Sequence, residues 1–200
     1  MERGSRLSQT RTRQLTVVGM LSAICIILGV TGYGFIQLPI AKITIMHIPV
    51  IIGAIIEGPK VGMLIGLMFG GFSIIQNIMA PNLLSFAFIN PLVSILPRIL
   101  IPLTSYYSYK LIKIKNESIR IGIGAAIGSL TNTVGVLTMI YILYVDKYAT
   151  VKNLTIDKAT KAIFGVAYTN GILEAIVGVL ITISVVGAVN KIKKEKRKDN

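Results

Sequence analysis

Arg98 and Glu174 are charged residues embedded in apolar stretches of this 200-residue chain. A charge in such a stretch is expensive, so it normally faces other protein groups or a water-filled cavity and marks a place where something polar is handled. Asn132 lies in the middle of a third apolar stretch, and Asn170 precedes Glu174 by one helical turn on the same face. Arg98 and Glu174 each lie about twelve residues from one end of their stretch, which at 1.5 Å per residue is roughly 18 Å deep. One cation, one anion and two amides can therefore meet in a single layer. Two readings stand side by side. The first is an internal salt bridge between Arg98 and Glu174, with the asparagines as interhelical hydrogen bonds. The second is a polar ligand pocket open to the outside, and a salt bridge can also form the wall of such a pocket.

Further outward the sequence places Asn90, His47, Gln76 and Asn77. His47 precedes Pro49 and reads either as a structural histidine near the membrane interface or as a ligand group. Tyr33, Phe35 and Phe86 suit the interfacial aromatic belt, and equally a cover over a pocket. Other chemistry finds no support. There is one histidine and one cysteine, Cys25, so neither a metal cluster, an internal disulfide nor a Ser/His/Asp arrangement is expected. No phosphate-binding Gly-rich Lys-Ser/Thr motif is present, so the chain is not expected to hydrolyse ATP itself. The expectation is a protein without enzyme activity, metal or cofactor.

The elements that must position these residues follow from hydropathy. Mean hydropathy is +0.73 and only 14% of residues are charged, against about 25% in soluble domains. No Asp, Glu, Lys or Arg occurs within 15–41, 61–96 or 121–145. A spanning helix needs roughly 20 apolar residues, so the sequence predicts an all-α integral membrane bundle of six transmembrane helices over 15–30, 43–56, 61–79, 86–109, 121–144 and 162–189. A loop of Gly and aromatics, from Thr31 to Pro39, joins the first two. Gly58-Pro59 breaks the second from the third, and Ala80-Pro81-Asn82 ends the third. Pro91, Pro97 and Pro102 fall inside the fourth and predict a kink beside a cavity or packed neighbours. The expected organisation is a basic cytoplasmic segment (1–14), one membrane domain (15–190) and a basic cytoplasmic tail (191–200).

The net charge of +13 would suggest nucleic acid in a soluble protein. Here the basic residues cluster at the ends and in one connection. With six spans, one side holds fifteen basic residues and the other five, Lys42, Lys147, Lys152, Lys158 and Lys161. The positive-inside rule then puts both termini in the cytoplasm of a multi-pass plasma-membrane protein, and a long polar loop (146–161) outside. Nucleic acid is not an expected partner; the lipid bilayer is. The first apolar run lacks a cleavage site and is followed by five more, so it reads as a retained span. Small residues four apart, Gly19 with Ala23 and Gly62 with Gly66 and Gly70, allow close helix approach, either inside the bundle or against a partner.

Several phrases together resemble a known family: Ile43-Thr-Ile-Met-His47-Ile-Pro49-Val-Ile-Ile-Gly53-Ala, Glu57-Gly-Pro59-Lys-Val-Gly62, Gly66-Leu-Met-Phe-Gly70, Asn90-Pro91, Pro97-Arg98, Gly128-Ser-Leu-Thr-Asn132-Thr, and Asn170-Gly171 with Glu174. Over nearly its whole length the chain is similar to the substrate-binding S components of energy-coupling factor (ECF) vitamin transporters, most of all to the pantothenate-specific branch. Folate and alpha-ribazole branches are related alternatives, and a stand-alone ion-coupled carrier using Glu174 as a protonation site is the competing reading. The resemblance implies a six-helix bundle that captures a vitamin from outside. It implies docking on a membrane coupling subunit with two ABC ATPases, and toppling to release the vitamin inside. Gly19 and Ala23 stand where the family docks through an Ala-x-x-x-Ala motif. Arg98, Asn132, Asn170, Glu174, Asn90, His47 and Gln76 are then the candidate substrate groups, under a lid of Tyr33, Phe35 and Phe86.

Overall fold

The computed structural model of the protein describes residues 2–37 and 42–196, and the side chains of 10–36 and 43–196. Leu38 and Pro39 of the predicted loop, and Arg197 and Lys198 of the predicted tail, lie outside the described residues. The first helix, α1, covers Glu2–Thr31. It begins well before the predicted 15, because the basic arm contains good helix formers and no proline. A two-stranded antiparallel ribbon follows, β1 (Phe35–Gln37) and β2 (Lys42–Thr44), with Phe35 opposite Thr44. The ribbon is the one departure from helix among the described residues that the all-α expectation did not include.

Helix α2 (Ile48–Glu57) has only ten residues and starts at a proline. At about 15 Å it covers half of a bilayer's hydrocarbon. Every residue from Ile48 to Ile55 is buried, so α2 is the axis of the bundle and not a lipid-facing span. It is shorter than the predicted 43–56 because the ribbon takes up residues 43–44 and Pro49 fixes the helix start. Gly58, with φ of 98°, ends α2, and Pro59 opens α3 (Pro59–Met79).

The predicted fourth helix is broken into three: α4 (Ser85–Phe88), α5 (Pro91–Ser94) and α6 (Leu96–Leu111). The prolines act as starts, Pro91 for α5 and Pro97 for α6, while Pro102 remains inside α6. The carbonyls left free are used locally: Ser94 Oγ donates to Phe88 O at 2.5 Å and Arg98 Nη1 to Val93 O at 2.8 Å. Irregular backbone at this depth is tolerated where protein groups satisfy it.

The last two helices, α7 (Glu117–Lys152) and α8 (Ile156–Lys196), are far longer than predicted. The expected polar loop over 146–161 is almost entirely helical. Its turn is confined to residues 153–155, with Asn153 in the left-handed conformation (φ 52°) capping α7. Thirty-six residues of α7 span about 54 Å, more than the roughly 30 Å of hydrocarbon, so the α7–α8 hairpin extends past the apolar zone. Its backbone bonds internally, and polarity alone does not end a helix. α7 kinks at Tyr144 (φ −143°, ψ 18°).

Among the described residues, α1 from Thr10, α3, α7 and α8 are long and apolar enough to cross a membrane, which makes this a multi-pass membrane protein. A core of Ile48, Val50, Ile51, Ile65, Phe69, Ile101 and Ile121 surrounds α2. At one end Glu57 accepts a bond from Arg13 of α1 and lies 3.7 Å from Lys193 Nζ of α8. Glu117 accepts from Asn190 and Lys194 of α8. Residues near the two chain ends thus meet at one end of the bundle.

The stripe Gly62, Gly66 and Gly70 serves packing: α3 meets α5 and α6 at backbone contact. A Cβ on Gly70 would sit 2.6 Å from Ser94 O, and one on Gly66 would clash with Arg98 O. Gly66→Ala is therefore expected to destabilise the fold by about 1–3 kcal/mol. Gly71→Ala, where a Cβ meets nothing within 4 Å, is expected to leave it unchanged. Unfolding midpoints of the two variants in one detergent check this; equal midpoints would refute it.

Candidate functional site

The break between α5 and α6 and the glycine contact with α3 deliver Arg98 to the interior. The residue is buried, 6% exposed. Its Nη1 is held by Val93 O, and its guanidinium carbon lies 5.2 Å from the Phe69 ring centroid and 5.9 Å from that of Phe88. Aromatic faces at this range attract a cation. Nε has no partner.

Glu174 of α8 is buried as well, 4% exposed. Oε1 accepts from the backbone N–H of Thr44 at 2.8 Å, and Oε2 accepts from the Thr133 hydroxyl of α7. No ion pair joins Arg98 to Glu174 among the described residues, although the guanidinium lies within electrostatic reach of both Glu174 and His47. The internal salt bridge, one of the two readings of the sequence, is not formed among the described residues; each charge is held by neutral groups of its own.

About one helical turn along α8 from Glu174, at the level of Gly178, His47 is fully buried at the entry to α2, and its Nε2 is 2.9 Å from Ser129 Oγ of α7. Gly178, one turn from Glu174 on α8, makes room for the pair: a Cβ there would lie 2.5 Å from Ser129 Oγ. His47 Nδ1 has no partner. Asn132 is buried, and its Oδ1 is also unpartnered. Buried polar atoms are nearly always satisfied, so Arg98 Nε, His47 Nδ1 and Asn132 Oδ1 together call for an explanation, and an exchangeable polar ligand is one. Asn170 is half-buried and already engaged.

The remaining candidates are placed elsewhere. Gln76 donates to Gly29 O at 2.8 Å and ties α3 to α1. Asn90 caps α5 through Leu92 N and donates to Tyr144 Oη at 2.9 Å, at the α7 kink. Phe86 packs edge-on against Tyr144, with Lys147 over its ring. Phe35 is half-buried against the core around α2. Tyr33, 78% exposed, projects from the turn before β1. Of the three aromatics expected as a lid, Phe35 is the one on the ribbon whose Thr44 N–H reaches Glu174. Gly19 and Ala23 lie on an exposed face of α1, and a Cβ on Gly19 would meet nothing within 4 Å.

Sequence reasoning missed five residues. Phe69 and Phe88 read as ordinary core aromatics, and nothing in their spacing couples them to Arg98. Thr44 contributes only its backbone, which no side-chain pattern reveals. Ser129 and Thr133 flank Asn132 at i−3 and i+1, and helical spacing from that asparagine was the available signal.

The family model described as the substrate-specific component of ECF transporters matches residues 13–186. The chain is 31% identical over 165 residues to "Pantothenic acid transporter PanT" of Lactococcus lactis subsp. cremoris, covering 75% of this chain and 79% of that protein. It is 26% identical over 189 residues to "Pantothenate transporter PanT" of Leuconostoc mesenteroides subsp. mesenteroides, covering 90% of this chain and 93% of that protein. The chain belongs to the family of ECF transporter substrate-specific components, which are transporters and not enzymes.

Proposed function

We propose that this S component captures pantothenate from outside the cell and delivers it inward with an ECF module of a membrane coupling subunit and two ABC ATPases. The observation that carries the reading is a buried guanidinium with an unpartnered Nε and no carboxylate of its own, in a chain whose relatives are named for pantothenate. Pantothenate offers one carboxylate, two hydroxyls and an amide. Arg98 takes the carboxylate, where a charge-assisted pair is strongest. Asn132, Asn170 and Glu174 take hydroxyls and amide by their donor and acceptor capacity. His47 Nδ1 supplies a further polar contact from below.

In this reading the chain makes six passes with both termini in the cytoplasm. α2 is the short second pass, and α4 to α6 together make the fourth. Supporting this are the convergence of Arg13 and Lys193 on Glu57 and the excess of basic residues at that end. The ribbon with Phe35 then covers the site from outside. The exposed small face of α1 at Gly19 and Ala23 docks on the coupling subunit, because small residues let membrane helices approach closely.

Two measurements test the proposal. Pantothenate binding by the purified chain in detergent is expected to weaken by about 30-fold or more in Arg98→Ala, which removes a buried charge pair, and by roughly 3- to 10-fold in Asn132→Ala. Unfolding midpoints verify that both variants fold, and unchanged affinity in both would sink the site. Ala23→Trp is expected to keep pantothenate affinity while abolishing co-purification with the coupling subunit and ATP-dependent uptake into vesicles. Retained co-purification would remove α1 as the docking face.

A further inference from the structure

On the lipid-facing side of the bundle, away from the polar layer, a groove runs between α3 and α6. Met63, Leu64, Leu67 and Ile99 line it, and Lys60 closes one end. Along α6, Leu103, Tyr106 and Lys110 follow Ile99 at intervals of four, three and four residues, so they continue the same face toward that end. Lys110 Nζ lies 5.6 Å from the Tyr106 ring centroid, which draws the ammonium back over the groove. Because Gly62 packs against Pro102 and Gly66 against the Arg98 carbonyl, the antiparallel helices put Lys60 level with Thr104, half a turn before Tyr106. Lys60 and the ammonium of Lys110, turned back onto the Tyr106 ring, thus lie toward the same end of the apolar groove, the end of the bundle that carries Arg13 and Lys193.

Neither lysine has a carboxylate partner among the described residues. The acids nearest them in sequence are already taken, Glu57 by Arg13 and Lys193 and Glu117 by Asn190 and Lys194. α3 and α6 touch at the backbone beneath the groove, which leaves no room to seat a helix about 10 Å across between them. The lining carries no polar group other than the lysine, so a peptide would find nothing to fix its register.

We infer that the α3–α6 groove is a binding site for an anionic phospholipid, with an acyl chain along Met63, Leu64, Leu67 and Ile99 and the phosphate held between Lys60 and Lys110. The site is independent of vitamin binding. A single anionic headgroup against two lysines gives an expected preference of roughly 25-fold over a zwitterionic lipid, the ratio that about 1 kcal/mol per lysine produces.

The test is native mass spectrometry of the delipidated full chain titrated with phosphatidylglycerol or phosphatidylcholine of the same acyl chains. The wild-type chain is expected to retain one phosphatidylglycerol at least tenfold more strongly than phosphatidylcholine. The double variant Lys60→Gln/Lys110→Gln should lose that preference. A control that removes the same charge from the other end, Lys152→Gln/Lys158→Gln, should keep it. Leu67→Trp should weaken retention of both lipids by filling the groove. Equal retention of the two lipids by the wild type would overturn the inference, as would equal loss of preference in the control. Competition by glycerol phosphate as effective as that of the whole lipid would reduce the site to an anion patch. Binding of an acidic peptide in place of lipid would assign it to a protein partner. Either result would also overturn it.

Discussion

A guanidinium held inside an apolar bundle must be compensated by groups already in place, because removing a charge from water costs several kcal/mol even after relaxation. Arg98 is compensated by one carbonyl and two aromatic faces. Val93 O is free to accept because the chain breaks between α5 and α6, where Ile95 separates them and Pro97 restarts the helix. Phe69 is close enough because Gly66 and Gly70, on either side of it, let α3 reach backbone contact with the broken segment. The prolines, the glycine stripe and the arginine are thus one arrangement, and none of the three is explained without the other two.

Glu174 is compensated independently, by a backbone N–H of the ribbon and a hydroxyl of α7. That separation has a chemical consequence. Two opposite charges in direct contact would neutralise each other and offer little to a third molecule. Held apart by neutral partners, each keeps recognition capacity of opposite sign. The unpartnered atoms of Asn132 and His47 belong to the same bundle interior. A small molecule with one acidic end and several hydroxyls complements such a set.

Much of this was legible in the sequence. Charge-free runs located the helices, Gly58-Pro59 located the sharp turn between α2 and α3, and the isolated charges at positions 98 and 174 located the buried layer. What escaped has physical reasons. Hydropathy measures solvent preference and not backbone continuity, so it fused α4, α5 and α6 into one span and could not separate a ten-residue helix buried in the core from one that faces lipid. Polar residues at 146–161 read as a loop, but a helical hairpin projecting into water keeps its own hydrogen bonds and is indifferent to that polarity. The ribbon escaped because its two three-residue strands are too short for alternation to register. Pairwise outcomes, such as the absent bond between Arg98 and Glu174, depend on sub-ångström placement that no spacing rule encodes.

Helix α1 stands apart from this closed arrangement. Leu21, Ser22, Cys25 and Gly29 form a narrow buried stripe, while Gly19, Met20, Ala23 and Ile27 face outward. It contributes no side chain to the groups around Arg98 and Glu174. Arg13 fixes one end to Glu57, and Gln76 holds the other at Gly29. In hydrocarbon there is no hydrophobic drive between helices, so a face of small residues gains by close packing with another helix and loses little while it waits. The ribbon that follows α1 donates its Thr44 N–H to Glu174, so the segment next to this helix in sequence is itself a partner of the buried carboxylate.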